Sequence, residues 1–159
     1  MRSSRQPYNS DRNIRHEAEI KHRGHDRRVL RRHPPAGRGG AVKDYQFCWQ
    51  LNNRLRFDFR INHDIEIQLT KKQRKYFFGV YEFQEANNSL QHFLYNNQFD
   101  GEYLLPEFKH LDFLWLLKGD LVTDEKLGDL INCIRSMPAV QLVTELVQDK
   151  IRNKAHLIF

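Results

Sequence analysis

The longest apolar run of the chain predicts a buried strand. Phe113–Leu117 holds five consecutive apolar residues, which is short enough for one strand and apolar on both of its faces. Such a strand needs cover on both faces and therefore lies inside a sheet. Pro106 restricts Leu105 to an extended backbone and predicts a bend ahead of the strand. We expect a central strand at Leu111–Lys118, with the rest of the core arranged around it.

Helical spacing is found first in Lys43–Leu55. Apolar residues recur there at i, i+1, i+4 and i+8, which places them on one helix face. These residues are Phe47, Cys48, Leu51 and Leu55. Tyr45 and Trp49 lie beside this face in the pattern. We expect the large indole of Trp49 to contribute heavily to the core.

A second helix is predicted after the central strand. Thr123 is placed to cap its first turn, and Asp124 and Glu125 suit the positive end of the helix dipole. Pro138 ends the helix. The apolar stripe of this helix, at i, i+3, i+4 and i+7, consists of Leu127, Leu130, Ile131 and Ile134.

Alternating polar and apolar residues predict further strands. Arg56–Ile61 and Ile65–Leu69 flank a polar turn and form a hairpin or one bent ribbon. Lys75–Gln84 is rich in aromatic residues, and Leu90–Asn97 follows an asparagine-containing turn, so these two segments form an antiparallel hairpin. A last strand is expected at Ala139–Val147.

These elements predict one α+β domain over residues 43–159. Its core is a mostly antiparallel sheet of about five to six strands, packed with two α-helices on one face. The chain of 159 residues is long enough for one domain with a sizeable core and a tail.

The basic charge of the chain is confined to its N-terminal stretch. Residues 1–43 contain 12 Lys and Arg against four Asp and Glu, so residues 44–159 contain 14 against 16, a net charge of −2. Residues 1–42 are rich in Arg, His, Ser, Pro and Gly and poor in apolar groups, and we expect them to be disordered. A nucleic acid partner is therefore expected only through this tail, where it would be bound electrostatically.

Cysteine usage and hydropathy indicate a cytoplasmic protein. Cys48 and Cys133 form no metal-ligand or redox motif, and both are expected in the core. The arginine-rich start lacks the apolar stretch of a secretory signal, and no segment is long and apolar enough to span a bilayer. We expect no membrane association.

Few residues suggest catalysis or metal binding. Glu107 and Asp112 are the carboxylates that an acid–base mechanism would pair, but their spacing of five across a bend does not ensure proximity, and structural roles are favoured. In such a role, Glu107 accepts backbone N–H bonds in the bend. His92 and His110 are the candidate base or ligand histidines. No helix carries two histidines at i, i+4, so no metal and no cofactor is predicted.

The strand at Lys75–Phe83 superficially resembles the aromatic strand of RNA-recognition domains, which stack bases on exposed rings. Gly79 and Glu82 stand where that pattern needs aromatic residues. The aromatic side chains of this strand are therefore interpreted as core residues.

One motif of the chain is similar to that of a known family. Leu105-Pro106-Glu107 is followed by three residues and then by Leu111-Asp112-Phe113. This spacing resembles the motif of the IPExxxVDY family, a bacterial family of small proteins of unknown function. Residues 43–52, KDYQFCWQLN, are similar to the K-D-Y-x-x-C-W-x-L-N helix of that family, and the apolar ending at 157–159 is similar to its C terminus. The likeness covers residues 43–159.

The resemblance nominates binding residues and raises a question about the tail. The candidates are Leu105, Pro106, Glu107, Leu111, Asp112 and Phe113. Three of them replace the Ile, Val and Tyr of the motif, and Phe113 lacks the phenol hydroxyl. The resemblance implies a β-forming acidic segment before the first helix, whereas the arginine-rich residues 1–42 stand there. We therefore hypothesise that this tail is mis-translated, and translation of the other two frames of the upstream DNA tests this.

Taken together, the sequence favours a non-enzymatic protein-binding or regulatory module. A nucleic-acid-associated protein that uses the Arg-rich tail is the alternative, and an enzyme that uses Glu107 and Asp112 is the third reading. The terminal Leu157-Ile158-Phe159 either docks on another protein or packs against its own domain, and packing is favoured.

Overall fold

The computed structural model describes residues 27–31, 44–146 and 148–157. The helices in these ranges are α1 (Asp44–Leu55) and α2 (Asp124–Arg135). Short 3-10 turns lie at Pro106–Phe108, Gln148–Lys150 and Lys154–His156. The strands are β1 (Arg27–Arg31), β2 (Arg60–Ile61), β3 (Ile67–Lys71), β4 (Arg74–Phe78), β5 (Val80–Gln84), β6 (Gln91–Asn96), β7 (Gln98–Phe99), β8 (Glu102–Tyr103), β9 (Phe113–Lys118) and β10 (Leu142–Leu146).

Six of the strands form one sheet in the order β10-β1-β9-β6-β5-β2. Every neighbouring pair in it is antiparallel. Two small ribbons, β3–β4 and β7–β8, are also antiparallel. The predicted α+β domain with a mostly antiparallel sheet of five to six strands and two helices is therefore confirmed. The small ribbons raise the number of strands above that expected.

Strand β9 is the central buried strand that the apolar run predicts. It pairs with β6 on one side and with β1 on the other, and Phe113–Leu117 is buried throughout. Gly119 ends the strand at a φ of +114°, and a Cβ there would meet the Ser89 carbonyl oxygen at 2.2 Å. Leu111 is buried, but it lies in the turn before the strand rather than in it.

Both helices cover the same face of the sheet. Buried residues of α1 and α2 form one cluster with alternate residues of β9. Thr123 caps α2 as predicted, since its Oγ1 accepts a hydrogen bond of 3.2 Å from the Lys126 N–H. The residues that join the two helices to β9 are Phe47, Cys48, Leu51, Leu127, Ile134, Phe113, Trp115 and Leu117.

The opposite face of the sheet is covered by the β3–β4 ribbon and by irregular segments. Leu114 and Leu116 of β9 point to this side. The C-terminal Leu157 joins the same cluster and is buried, which confirms the predicted packing for that residue. Ile158 and Phe159 lie outside the described residues. The covering residues are Ile67, Tyr76, Phe78, Leu104, Leu105, Phe108, Leu111 and Ile151.

Strand β5 pairs with β6 in the expected antiparallel hairpin, but the extent of this segment and the pairing on its other side differ from those expected. The segment Lys75–Gln84 is not one strand, because it breaks at Gly79 into β4 and β5. The expected hairpin of Arg56–Ile61 with Ile65–Leu69 is also wrong, since β2 pairs with β5 and β3 pairs with β4. Hydrophobic burial gives the reason. Phe57 and Phe59 pack on the helix face, whereas Ile65, Ile67 and Leu69 pack on the opposite face, so the two segments cannot be partners.

Strand β1 lies within the N-terminal stretch that was expected to be disordered. Arg27–Arg31 pairs along its length with β10 and, from Arg27 to Leu30, with β9. The expectation of disorder therefore does not hold for these five residues. Composition could not indicate this strand because backbone N–H and C=O groups, which every residue carries, make its ladder. Residues 1–26 and 32–43 lie outside the described residues, so their predicted disorder and mis-translation stay predictions.

Candidate protein-binding site

The main chain of the motif segment 105–113 is hydrogen-bonded to one buried side-chain amide. Asn97 is 0% exposed, and its Oδ1 accepts a hydrogen bond of 2.8 Å from the Leu105 N–H. Its Nδ2 donates to the carbonyl oxygens of Phe108 at 3.0 Å and Leu111 at 2.8 Å. The Asn97 main-chain N–H also donates to the Asp112 carbonyl oxygen at 2.8 Å. This asparagine thus fixes the turn that leads into β9.

Glu107 ties the motif to the C-terminal segment. Its Oε1 accepts from the main-chain N–H groups of Arg152 at 2.7 Å and Asn153 at 2.9 Å, and its Oε2 accepts from Asn153 Nδ2 at 2.7 Å. Partial burial raises the pKa of Glu107, but these hydrogen bonds outweigh burial and the pKa is lowered. Glu107 accepts backbone N–H bonds as predicted, but its donors include Arg152 and Asn153 of the C-terminal segment besides its own main-chain N–H in the bend.

The other candidate motif residues are placed by the core. Leu105, Leu111 and Phe113 are buried. Phe113 stacks on Phe47 of α1 with ring centroids 4.4 Å apart, so the missing hydroxyl leaves an apolar contact. Pro106 begins the 3-10 turn and is exposed, and Asp112 is half-buried beside the start of β9. These positions support structural roles for the motif.

His92 is a hydrogen-bonded core residue. It is 1% exposed, and its Nδ1 lies 3.2 Å from Trp115 Nε1, which can only donate. Nδ1 is therefore the acceptor, and Nε2 carries the proton and donates to Glu85 Oε1 at 3.0 Å. Burial lowers the pKa of His92, which favours this neutral form.

Glu85 extends this chain of contacts to α2. Partial burial raises its pKa, but hydrogen bonds from Lys126, Asn88 and His92 prevail and lower the pKa to about 2. Lys126 Nζ lies 2.8 Å from Glu85 Oε2. The hydrogen-bonded series of side chains Trp115, His92, Glu85 and Lys126 therefore links the central strand to the second helix. These contacts hold β9, β6 and α2 together.

The remaining candidates for chemistry are dispersed. His110 is exposed, and within the described part of the chain no group of three or more His, Cys, Asp or Glu side chains could hold a metal ion. Cys48 is buried, and burial raises the pKa of its thiol. Cys133 is only half-buried, so the expectation that both cysteines lie in the core is wrong for Cys133.

An open groove of about 820 Å³ lies between α1 and the end of α2. We call it the interhelical groove. On the α1 side it is lined by Trp49, Gln50, Asn53 and Arg54. On the other side it is lined by Ser136, Met137, Pro138 and Ala139.

Trp49 is the most distinctive residue of this groove. Its side chain is 67% exposed, so the expectation that it contributes to the core is wrong. Trp49 stands two positions from both Phe47 and Leu51, which is roughly 200° around the helix from each of these buried residues. Tyr45, four residues earlier on the same outer face, is 54% exposed. The i, i+4 spacing of two aromatics opposite the buried face is the sequence pattern that could have identified this surface.

The aromatic strand that superficially resembles an RNA-binding strand is mostly buried. It is interrupted at Gly79, and Tyr76, Phe78 and Tyr81 are core residues. Phe77 is 40% exposed and contacts Phe99 edge-on. The interpretation of these aromatics as core residues is therefore confirmed for the three buried rings.

The comparisons with known proteins add no relative. No protein-family model matches the chain, and no curated protein and no solved structure matches it. Within the described residues, neither helix is long and apolar enough to cross a membrane.

Replacement of Asn97 by alanine should destabilise the protein strongly. It would leave the Leu105 N–H and the carbonyl oxygens of Phe108 and Leu111 buried without that side chain as a partner, and we expect a loss of about 3 kcal/mol or more in the free energy of unfolding. Urea denaturation of the full-length chain measures this. Asn53→Ala, at an exposed position, is the control and should stay within about 0.5 kcal/mol of wild type. A similar small effect for both variants would contradict the role assigned to Asn97.

His92 should make stability depend on pH in the acidic range. Its folded-state pKa is lowered, so below the ordinary histidine pKa of about 6.5 the unfolded chain binds the proton more readily. Its contribution to stability is therefore present above that pH and is lost below it, by up to about 1.4 kcal/mol per pH unit. Urea denaturation from pH 7.5 to 5 should show a steeper loss for wild type than for His92→Gln. His63→Gln, at an exposed position, should keep the wild-type slope, and equal slopes for all three proteins would contradict the assignment.

Proposed function

We propose that the chain is a non-enzymatic protein-binding or regulatory module whose partner binds in the interhelical groove. The observation that carries the proposal is Trp49, a tryptophan that is 67% exposed on a helix whose other face is buried against β9. Trp is among the residues most often responsible for binding energy at protein interfaces. A large exposed indole next to an apolar cleft is thus better suited to binding than to folding.

The composition of the groove supports this choice. Met137, Pro138 and Ala139 supply apolar surface beside the indole, and polar side chains stand at its α1 side. Protein interfaces commonly combine apolar and polar groups in this way. By contrast, the carboxylate of Glu107 is engaged by the C-terminal segment, which disfavours the enzyme that would pair it with Asp112.

We further propose that the chain belongs to the IPExxxVDY family and works in the cytoplasm of a bacterium. The organisation of the motif turn around Asn97 supports the first point, since the quoted residues share one structural role. The two free cysteines support the second, because thiols persist in reducing compartments.

Affinity capture with the full-length chain tests the function. The tagged chain is immobilised, incubated with nuclease-treated lysate of its source cells, and the retained proteins are identified by mass spectrometry. We expect a discrete protein whose recovery falls at least about tenfold with Trp49→Ala, as for a central aromatic anchor. Leu121→Ala is the matched control, because Leu121 is 78% exposed and lies outside the groove lining.

Two results would contradict the proposal. One is recovery of the same proteins by wild type and Trp49→Ala. The other is retention of proteins from untreated lysate but not from nuclease-treated lysate, which would favour the nucleic-acid alternative through the basic tail. Both variants replace exposed side chains, so their free energies of unfolding should lie within about 0.5 kcal/mol of the wild-type value. A loss of binding would therefore not reflect a loss of structure.

A further inference from the structure

The charge of the interhelical groove is one-sided. Among the described residues, Arg54 is the only charged one that lines it, and no described Asp or Glu does so. Arg54 Nη2 donates to Ser136 Oγ at 3.1 Å, and none of the ion pairs found between described residues involves Arg54. A guanidinium carries five N–H donors, so most of its capacity is available at this exposed position. Two parallel N–H groups of a guanidinium match a carboxylate.

Two amide side chains beside Trp49 have capacity for a peptide backbone. Asn53 is exposed and its Nδ2 donates to the Trp49 carbonyl oxygen at 2.9 Å, a bond that does not use the acceptor Oδ1. Within the described residues, the Gln50 side chain takes part in no hydrogen bond that was found. An amide both donates and accepts, as a peptide backbone requires.

The apolar lining of the groove belongs to the same cleft as Arg54 and the two amide side chains. Trp49 and Arg54 are five positions apart on α1, and both line the groove with Pro138. A ligand that fills the groove therefore meets both the indole and the guanidinium. Arg54 is also held near the end of α2 through Ser136, whose own Oγ donates to the Cys133 carbonyl oxygen at 2.6 Å.

We infer that the groove binds a peptide segment of another protein that presents a large apolar side chain next to a carboxylate. The apolar side chain lies on Trp49, the carboxylate pairs with Arg54, and the amides of Gln50 and Asn53 bond the peptide backbone. This inference rests on the proposed function. A single cation in a largely apolar lining suits one carboxylate better than a nucleic acid strand, which needs several cations along its phosphates.

A peptide selection with the full-length chain tests the inference. Random displayed dodecapeptides are selected on the immobilised chain, and the enriched peptides are synthesised with and without their Asp or Glu replaced by the amide. We expect an enriched apolar residue flanked by a carboxylate. Trp49→Ala should weaken binding at least about thirtyfold, and Arg54→Gln should weaken it about tenfold.

A double-mutant cycle separates the ion pair from other effects. The amide form of the peptide should bind wild type about tenfold more weakly, and it should lose little more on Arg54→Gln, because the two changes remove the same contact. Arg56→Gln is the matched control, since Arg56 is exposed, lies outside the groove lining and should leave affinity unchanged.

The negative outcomes distinguish the two proposals. Peptides that depend on Trp49 but need no carboxylate, or are indifferent to Arg54→Gln, overturn the partner chemistry and leave the protein-binding function standing. A selection without any Trp49-dependent peptide contradicts both. If a labelled single-stranded oligonucleotide of about 20 nucleotides binds in a Trp49-dependent manner, the groove is instead a nucleic acid site.

Discussion

The fold depends on the buried side chain of Asn97. A polar amide without water must find partners for its donors and its acceptor, and Asn97 finds three of them in the turn before β9. Those partners are main-chain groups of Leu105, Phe108 and Leu111, and of these the Phe108 carbonyl oxygen also accepts from the Leu111 N–H. These bonds, together with the one from the Asn97 main-chain N–H to the Asp112 carbonyl oxygen, hold the turn directly before the start of β9.

The remaining contacts of the motif act outward from this turn. The Glu107 carboxylate accepts hydrogen bonds from the main-chain N–H groups of Arg152 and Asn153, which hold the C-terminal segment against the sheet. In this position Leu157 covers the face opposite the helices. The residues of the motif thus make intramolecular contacts that stabilise the fold. We assign binding instead to the outer face of α1, where Trp49 and Arg54 contribute little to the core.

Periodicity predicted the elements that bury a stripe or a run, because burial of apolar groups determines them directly. The strand at Phe113–Leu117, both helices and the Thr123 cap are of this kind. Pairing was predicted less well. Arg56–Ile61 and Ile65–Leu69 have the same alternation, yet they pack on opposite faces of the sheet, and alternation does not state which face a segment joins.

The candidate site was harder still to predict. Trp49 was assigned to the core on the strength of its size, although its angular position on α1 places it opposite Phe47 and Leu51. Asn97 had no visible role because its partners are backbone groups up to fourteen residues away. The strand Arg27–Arg31 is not indicated by apolar periodicity for a related reason, since a strand held by its two neighbours needs little apolar content of its own.

Native-state amide hydrogen exchange at Leu105 tests whether the Asn97 side chain holds the turn before β9. The Leu105 N–H donates to Asn97 Oδ1 in a fully buried setting, outside any strand or helix. It should therefore exchange only through global unfolding, with the same protection as the amides of β9. Exchange of the Leu105 amide at the rate of an exposed turn amide would show that Asn97 does not hold the turn before β9.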